Sequence, residues 1–284
     1  MPVSPRLSAV TVTLNDATGL RRTLESLRPL FGAWPSFAWE HVVVDGSPGL
    51  SRRVLDDLPV GWPLVHVEDP PHGVPHAFNR ALGVARGTYL WFLNGGDALH
   101  DAGALARMLA ALERDPALDL VCGGAYLTRN GVALYPTAPR RSLLGNILGR
   151  SWIYHQAVIY RRASLARIGP FSTAYRVAGD YDYHVRCYAA GLRARFTADV
   201  LVDYDMGGGS NDVVTAFREF KRIHRAHRDV LPAWVNCANE IVRGAEYARI
   251  VTLRTLSATG LGARLRPLWA KANRWLRHRG TPPP

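Results

Sequence analysis

The sequence predicts an α/β protein with a mainly parallel central sheet flanked by helices and a helical C-terminal extension. Three observations predict it. Over the first hundred of the 284 residues, short β-rich runs alternate with amphipathic helical stretches. Short polar residues and glycines crowd the carboxyl ends of those runs. Beyond residue 118 the alternation gives way to hairpin and mixed patterns, and after residue 210 the chain reads as mostly helical.

The elements follow in order. Strands are predicted at 9–14, 41–44, 64–67 and 88–93, each joined to the next by a connection long enough for one helix. Leu20, Leu24 and Leu27 recur at helical spacing, as do Leu50, Val54 and Leu58, then Val74, Ala77, Phe78, Ala81, Leu82 and Ala85. A helix is predicted over 101–113, with Asp101 as N-cap and Leu105, Met108, Leu109 and Leu112 facing inward. Residues 118–135 read as short strands around Asn130-Gly131, a hairpin signal. A β-rich run at 155–160, helices at 162–168 and 180–190 and a strand at 194–202 complete the pattern. No internal repeat is present, and the terminal Thr-Pro-Pro-Pro is expected to fray.

Composition narrows the function classes. With 48% hydrophobic and 20% charged residues the chain is globular, which excludes a mainly disordered or fibrous protein. Cys122, Cys187 and Cys237 fit no C-x-x-C pattern and are odd in number, so reduced thiols and a cytoplasmic setting are expected. No run of 18 apolar residues and no export signal is evident. The formal charge of +12 points to anionic partners, yet nine Lys/Arg against two acids from Glu240 onward place +7 of it in the last 45 residues. No aromatic-interleaved basic motif accompanies it, so nucleic acid is not an expected partner.

Open parallel sheets bind ligands at the carboxyl ends of their strands. There the chain carries Thr13-Leu14-Asn15-Asp16, Asp45-Gly46-Ser47, Glu68-Asp69 and Asn94-Gly95-Gly96-Asp97. Taken singly, any one of these groups reads as a helix cap or turn residue before it reads as a ligand. Four on one rim read as a site.

In order and spacing these segments resemble the GT-A fold glycosyltransferases of family 2, over about residues 9–210. The family's D-G-S matches Asp45-Gly46-Ser47, its A-x-N matches Ala77-Phe78-Asn79, and its A-x-G-x-Y matches Ala85-Arg86-Gly87-Thr88-Tyr89. Phe92-Leu93-Asn94-Gly95-Gly96-Asp97 is similar to the F-L-N-S-G-D metal motif of a bacterial subgroup. His155-Gln156, Gly169-Pro170-Phe171, Ala178-Gly179-Asp180-Tyr181-Asp182 and the glycines from Gly207 to Ser210 resemble its later motifs.

The resemblance implies a GT-A catalytic domain over 1–210 with a Rossmann-like sheet. Its nucleotide-binding half spans about 1–115, its acceptor half about 116–210, and the extension 211–284. It implies an inverting transfer from a nucleotide-sugar donor to a hydroxyl of a glycolipid, lipid-linked or polysaccharide precursor, with Mg²⁺ or Mn²⁺ bound at Asp97. As a strand-end carboxylate Asp97 is expected to face solvent. The family usually has two acids here; Asn94 or Gly95 stands at the first position, so metal affinity is expected to be weaker. Asp45 is implied as reader of the base. Thr13, Asn15, Ser47, Asn79, Arg80, Asn94, His155 and Gln156 are implied around the donor, with Arg80 equally readable as a solvated helix residue and His155 as structural.

Asp180 is implied as general base, with Asp182 the alternative. His224 or His227 could also reach the site, and the glycines from Gly207 read as a lid or a linker. The apolar and basic residues of 240–280 are compatible with an anionic membrane surface at the inner face of the plasma membrane, or with packing on the domain. Two other classes stay open. One is a non-catalytic nucleotide- or glycan-binding relative. The other is a sugar-nucleotide pyrophosphorylase, against which the missing Gly-rich loop after the first strand argues.

Overall fold

The computed structural model describes residues 5–33, 39–129, 132–148, 153–207 and 212–258. The chain divides into two compact units, Met1–Asn236 and Cys237–Pro284. In the first, β1 (Leu7–Thr13), β2 (Trp39–Asp45), β3 (Leu64–Glu68) and β4 (Tyr89–Phe92) alternate with α1 (Ala17–Ala33), α2 (Pro48–Asp56) and α3 (Val74–Val84). These four strands are parallel and lie in the order β3-β2-β1-β4. Chain order reverses direction at β1, so the crevice at the carboxyl ends of β1 and β4 is the switch point where such sheets bind ligands.

β1, β2 and β4 are buried on both faces, with apolar residues at consecutive positions in β2 and β4, whereas the edge strand β3 is only partly buried. Leu7, Ala9, Val43, Trp91 and Leu93 enter one core with α1 and α4 (Ala102–Arg114). Val10, Val12, Val42, Val44, Leu90 and Phe92 enter the other, with Phe78 and Ala81 of α3. Asp101 caps α4 by accepting from the Gly103 N–H at 2.7 Å, and Leu105, Met108, Leu109 and Leu112 are buried, as the periodicity predicts.

The second half extends the sheet through a two-residue strand β5 (Ala98–Leu99), β6 (Leu120–Arg129), β7 (Val132–Pro136), β8 (Val158–Arg161) and β9 (Ala194–Asp205). The sheet continues β4-β8-β6-β9-β5, with β7 antiparallel to β6; Asn130-Gly131 itself lies outside the described residues. The run expected as a strand from residue 155 is instead a 3-10 turn, His155–Ala157, before β8 begins at Val158. The Ala157 N–H bonds to the Tyr154 carbonyl and so turns the chain before it joins the sheet. β5 and a short helix α5 (Leu143–Ile147) were not evident from periodicity, being too short to show one.

After α6 (Arg162–Leu165) comes α7 (Gly179–Ala189), and α8 (Val213–Ala226) follows β9. A third core joins Ile147, Tyr181, Val185, Ile223 and Leu231, so α8, within the expected extension, packs on α5 and α7 inside the first unit. In the second unit the described residues continue α9 (Ala233–Ala258). No helix among the described residues is long and apolar enough to cross a membrane. Most of the basic tail, from residue 259, lies outside the described residues, as do residues 208–211 of the glycine-rich segment.

Candidate active site

The switch point is shaped by its own turn residues. The Gly46 N–H donates to the Thr13 carbonyl at 2.9 Å, tying the ends of β1 and β2 together. Asn15, in the left-handed region at φ 54°, donates its N–H to Ser47 Oγ at 2.7 Å. Asp45 has no exposed surface. Its Oδ1 accepts from the Ser47 N–H and from Ser51 Oγ, each at 2.8 Å, and its Oδ2 lies 3.3 Å from His66 Nε2. Its carboxylate thus builds the turn that holds Ser47 and Asn15 at the rim.

The segment from Asn94 to Asp97 folds back against β1 and α1. The Gly95 N–H donates to the Val12 carbonyl at 3.0 Å, and a Cβ on Gly95 would lie 3.2 Å from Thr13 Oγ1, so only glycine fits this approach without displacement. Thr23 of α1 clamps the turn, donating to the Asp97 carbonyl at 2.6 Å and accepting from the Gly96 N–H at 3.1 Å.

Asp97 does not face solvent, contrary to expectation; it is 4% exposed. Its Oδ2 accepts from Gln156 Nε2 at 3.0 Å and its Oδ1 from the Asp205 N–H at 2.9 Å. The strand end is covered by β9 and the 3-10 turn, which no local pattern reveals. Burial raises the Asp97 pKa to about 7; the two hydrogen bonds oppose that rise, and the Asp205 carboxylate adds to it. Asp205 in turn bonds Arg22 at 3.3 Å. Thr13 Oγ1 and Asn94 Oδ1 are buried here without hydrogen-bond partners. Oxygen-only donors beside a carboxylate that burial disfavours as an anion fit a hard divalent cation. Sequence reading missed Asp205, which stands 108 positions from Asp97.

Other expected donor residues are placed differently. Asn79 uses both ends of its amide on the Phe171 backbone, accepting from its N–H at 2.8 Å and donating to its carbonyl at 2.9 Å. It braces α3 against the turn before α7. Arg80 is half-exposed and pairs with Asp69 at 3.1 Å. His155 is buried among Phe78, Phe92 and Phe171, with Nδ1 3.2 Å from Tyr160 Oη and Nε2 unpartnered. Burial holds its pKa well below the usual imidazole range, so the ring is neutral. Tyr160 Oη also lies 3.0 Å from His184 Nε2, whose pKa burial lowers to about 4.

The two aspartates of α7 separate clearly. Asp182 is buried between Arg186 Nε, 2.9 Å from its Oδ2, and His227 Nε2, 3.0 Å from its Oδ1. Asp180 is partly exposed, and its Oδ1 accepts from the Tyr181 N–H at 2.7 Å. No side chain among the described residues bonds it. Burial raises its pKa to about 6, with the Glu219 carboxylate contributing. His224 lies 2.7 Å from Tyr181 Oη, so His224 and His227 both serve α7.

Glu219 of α8, also missed in the sequence, fixes the entry to α7. Its Oε1 accepts from the Arg176 N–H at 2.7 Å, and its Oε2 from those of Val177 and Ala178 at 2.8 and 2.7 Å. Glu219→Gln places an NH₂ against at least one of these donors. It is expected to cost about 1.5–3 kcal/mol, the scale of a hydrogen bond to a charged group. A urea midpoint equal to wild type at unchanged slope would contradict this.

The family model for Glycosyl transferase family 2 matches residues 8–174. A PGL/p-HBAD biosynthesis glycosyltransferase of Mycobacterium bovis (strain BCG / Pasteur 1173P2) is 31% identical over 232 residues, covering 79% of this chain and 86% of its own length. A glycosyltransferase of Mycobacterium tuberculosis (strain ATCC 25618 / H37Rv) is 26% identical over 254 residues, covering 87% and 94%. Among solved structures, the mannosyltransferase PcManGT from Pyrobaculum calidifontis, in complex with GDP-Man and Mn²⁺, gives a TM-score of 0.64 at 20% identity and covers 98% of this chain and 83% of that one. S. aureus TarS 1-349 in complex with UDP gives 0.60 at 20% identity, covering 77% of this chain and 64% of that one. The fold is the GT-A type.

Proposed function

This chain belongs to glycosyl transferase family 2, and from that premise we propose that it is an inverting enzyme carrying a sugar from a nucleotide-sugar donor to a hydroxyl of a glycolipid, lipid-linked or polysaccharide precursor. The observation that carries this reading is the contrast between two carboxylates on one helix turn. Asp182 is locked by Arg186 and His227, whereas Asp180 has no side-chain partner among the described residues and a pKa of about 6. A general base works best with a pKa near the working pH and a free oxygen to receive the proton.

In the proposed step Asp180 takes the proton of the acceptor hydroxyl as that oxygen attacks the anomeric carbon. The carbon–oxygen bond to the diphosphate breaks on the opposite face, and its electron pair leaves with the nucleoside diphosphate. Asn15, Ser47 and the turn organised by Asp45 form the proposed nucleotide rim, supported by their position at the switch point. Asp97, with Asn94 Oδ1 and the Asp205 carboxylate as further oxygens, is the proposed holder of Mg²⁺ or Mn²⁺. When bound, that ion supplies neutralisation of the charge on the leaving diphosphate. Solved structures of the same fold in complex with UDP or with GDP-Man and Mn²⁺ support the donor class, and a relative is named for PGL/p-HBAD biosynthesis.

Incubation with UDP-, GDP- and dTDP-sugars and a soluble acceptor tests the reading. Transfer with inversion at the anomeric carbon, followed by NMR, is expected from one donor. Binding without turnover would instead identify a non-catalytic relative, and retention would remove Asp180 from the role of base.

We also propose that residues 240–280 contact the anionic inner face of the plasma membrane. The nine Lys/Arg of this tail should each contribute about 1 kcal/mol at an anionic surface. Vesicle affinity is therefore expected to rise with anionic lipid and to fall with salt. Salt-independent binding would contradict the electrostatic part.

A further inference from the structure

Asp69, His72 and His76 bring one carboxylate and two imidazoles together at the connection from β3 to α3, with their ligand atoms all within 4.8 Å of one another. We infer that these three residues form a binding site for a borderline-soft divalent transition metal of the Zn²⁺ class, sharing no residue with the oxygen-lined turn at Asp97 and differing from it in chemistry. Nitrogen-bearing sites of this kind favour zinc, nickel or cobalt over magnesium.

The connection is built to hold these groups. Asp69 is anchored at the end of β3, where its N–H donates to the Asp45 carbonyl at 3.0 Å. Pro70 and Pro71 restrict the following backbone, and Gly73 at φ 97° takes the left-handed turn that brings the chain back into the helix. The reversal sets the His72 ring beside that of His76, with centroids 4.8 Å apart.

Two of the proposed ligands, His72 and Asp69, have outer contacts that orient them. His72 Nδ1 lies 2.8 Å from the Pro70 carbonyl. A carbonyl only accepts, so Nδ1 carries the proton and Nε2 keeps its lone pair for a metal. Arg80 Nε holds Asp69 Oδ1 at 3.1 Å, leaving Oδ2 on the side of His76 Nδ1, also at 3.1 Å. A tetrahedral zinc with ligands at about 2.0–2.1 Å needs ligand atoms about 3.3 Å apart. The ligand atoms, now within 4.8 Å of one another, would have to draw together on binding, and His72 is exposed, so no packed core opposes its movement. Three protein ligands leave the fourth position to water, and the ion would link the end of β3 to the first turn of α3.

Calorimetric titration of tag-free, full-length protein with Zn²⁺, in the presence of millimolar Mg²⁺, tests the site. Wild type is expected to take up one Zn²⁺ per chain, and His72→Ala and His76→Ala each to weaken it by at least about tenfold, the lower end of what disturbing even an outer contact costs. Co²⁺ should give a visible absorption band in wild type that both variants lose. His72 is exposed, so its truncation opens no cavity, and circular dichroism confirms the fold of each variant. No stoichiometric uptake by wild type, or uptake by both variants as tight as that of wild type, would overturn the site. Loss in one variant alone would overturn the three-ligand arrangement.

Discussion

Asp180→Asn is expected to lower transfer by about 10²–10⁴-fold while leaving donor affinity unchanged, the usual scale of general-base catalysis. The amide has the size of the carboxylate, and its oxygen can still accept the Tyr181 N–H, so the first turn of α7 keeps its bond. What it lacks is a lone pair basic enough to hold the acceptor's proton. In wild type that carboxylate must be ionised to act. With a pKa raised to about 6, kcat/KM should fall about tenfold per pH unit below 6 and level off above it, and Asp180→Asn should abolish this limb.

Stability should move the opposite way. A folded pKa above the unfolded value of 3.8 means that the native state binds the proton more tightly, so stability from this group is present at low pH and lost as pH rises through about 6. Asp180→Asn is therefore expected to unfold at higher temperature than wild type at pH 8. Asp182→Asn breaks a buried pair with Arg186 and His227 and should cost about 3–5 kcal/mol. If Asp182→Asn abolished transfer in folded protein while Asp180→Asn transferred normally, the roles would be reversed.

Asp97→Asn is expected to remove metal-dependent donor binding and, in metal-free protein at pH 8, to raise stability by a few kcal/mol. The second effect follows from burial, which lifts the carboxyl from 3.8 to about 7, at about 1.4 kcal/mol per pKa unit. The native state loses that stability as pH rises through 7, and a neutral amide does not. Asparagine keeps the local bonds: its oxygen accepts from the Asp205 N–H, and its NH₂ faces Gln156, whose amide can turn its own oxygen inward. Alanine is the poorer probe. It leaves Gln156 Nε2 and the Asp205 N–H without an acceptor, at about 1–3 kcal/mol each. Calorimetry with the donor, with and without Mn²⁺, and thermal unfolding in a chelator separate the two effects. Near-wild-type turnover at saturating metal would remove Asp97 from the site, and a lowered melting temperature would refute the account of its burial.

Much of this protein was legible in its residues alone. The inner parallel strands show as runs such as Val42-Val43-Val44, because strands covered on both faces need apolar side chains at consecutive positions. Asp101 shows as a cap because its partner, the Gly103 N–H, is two residues away. The ordered polar strand ends and Asp180 show the family and its candidate base for the same reason: turn chemistry and motif spacing are properties of near neighbours. Tertiary structure alone decided which of these groups are free to act. Asp97 is buried because Gln156 and Asp205, 59 and 108 positions away, close over it. The Asn79 amide is taken by Phe171, 92 positions away, and the loop before Asp180 is held by Glu219 from α8. Periodicity carries no information across such separations. Burial and hydrogen-bond partnership, which set whether a carboxylate is a base, a ligand or a brace, exist only once the chain has brought those residues together.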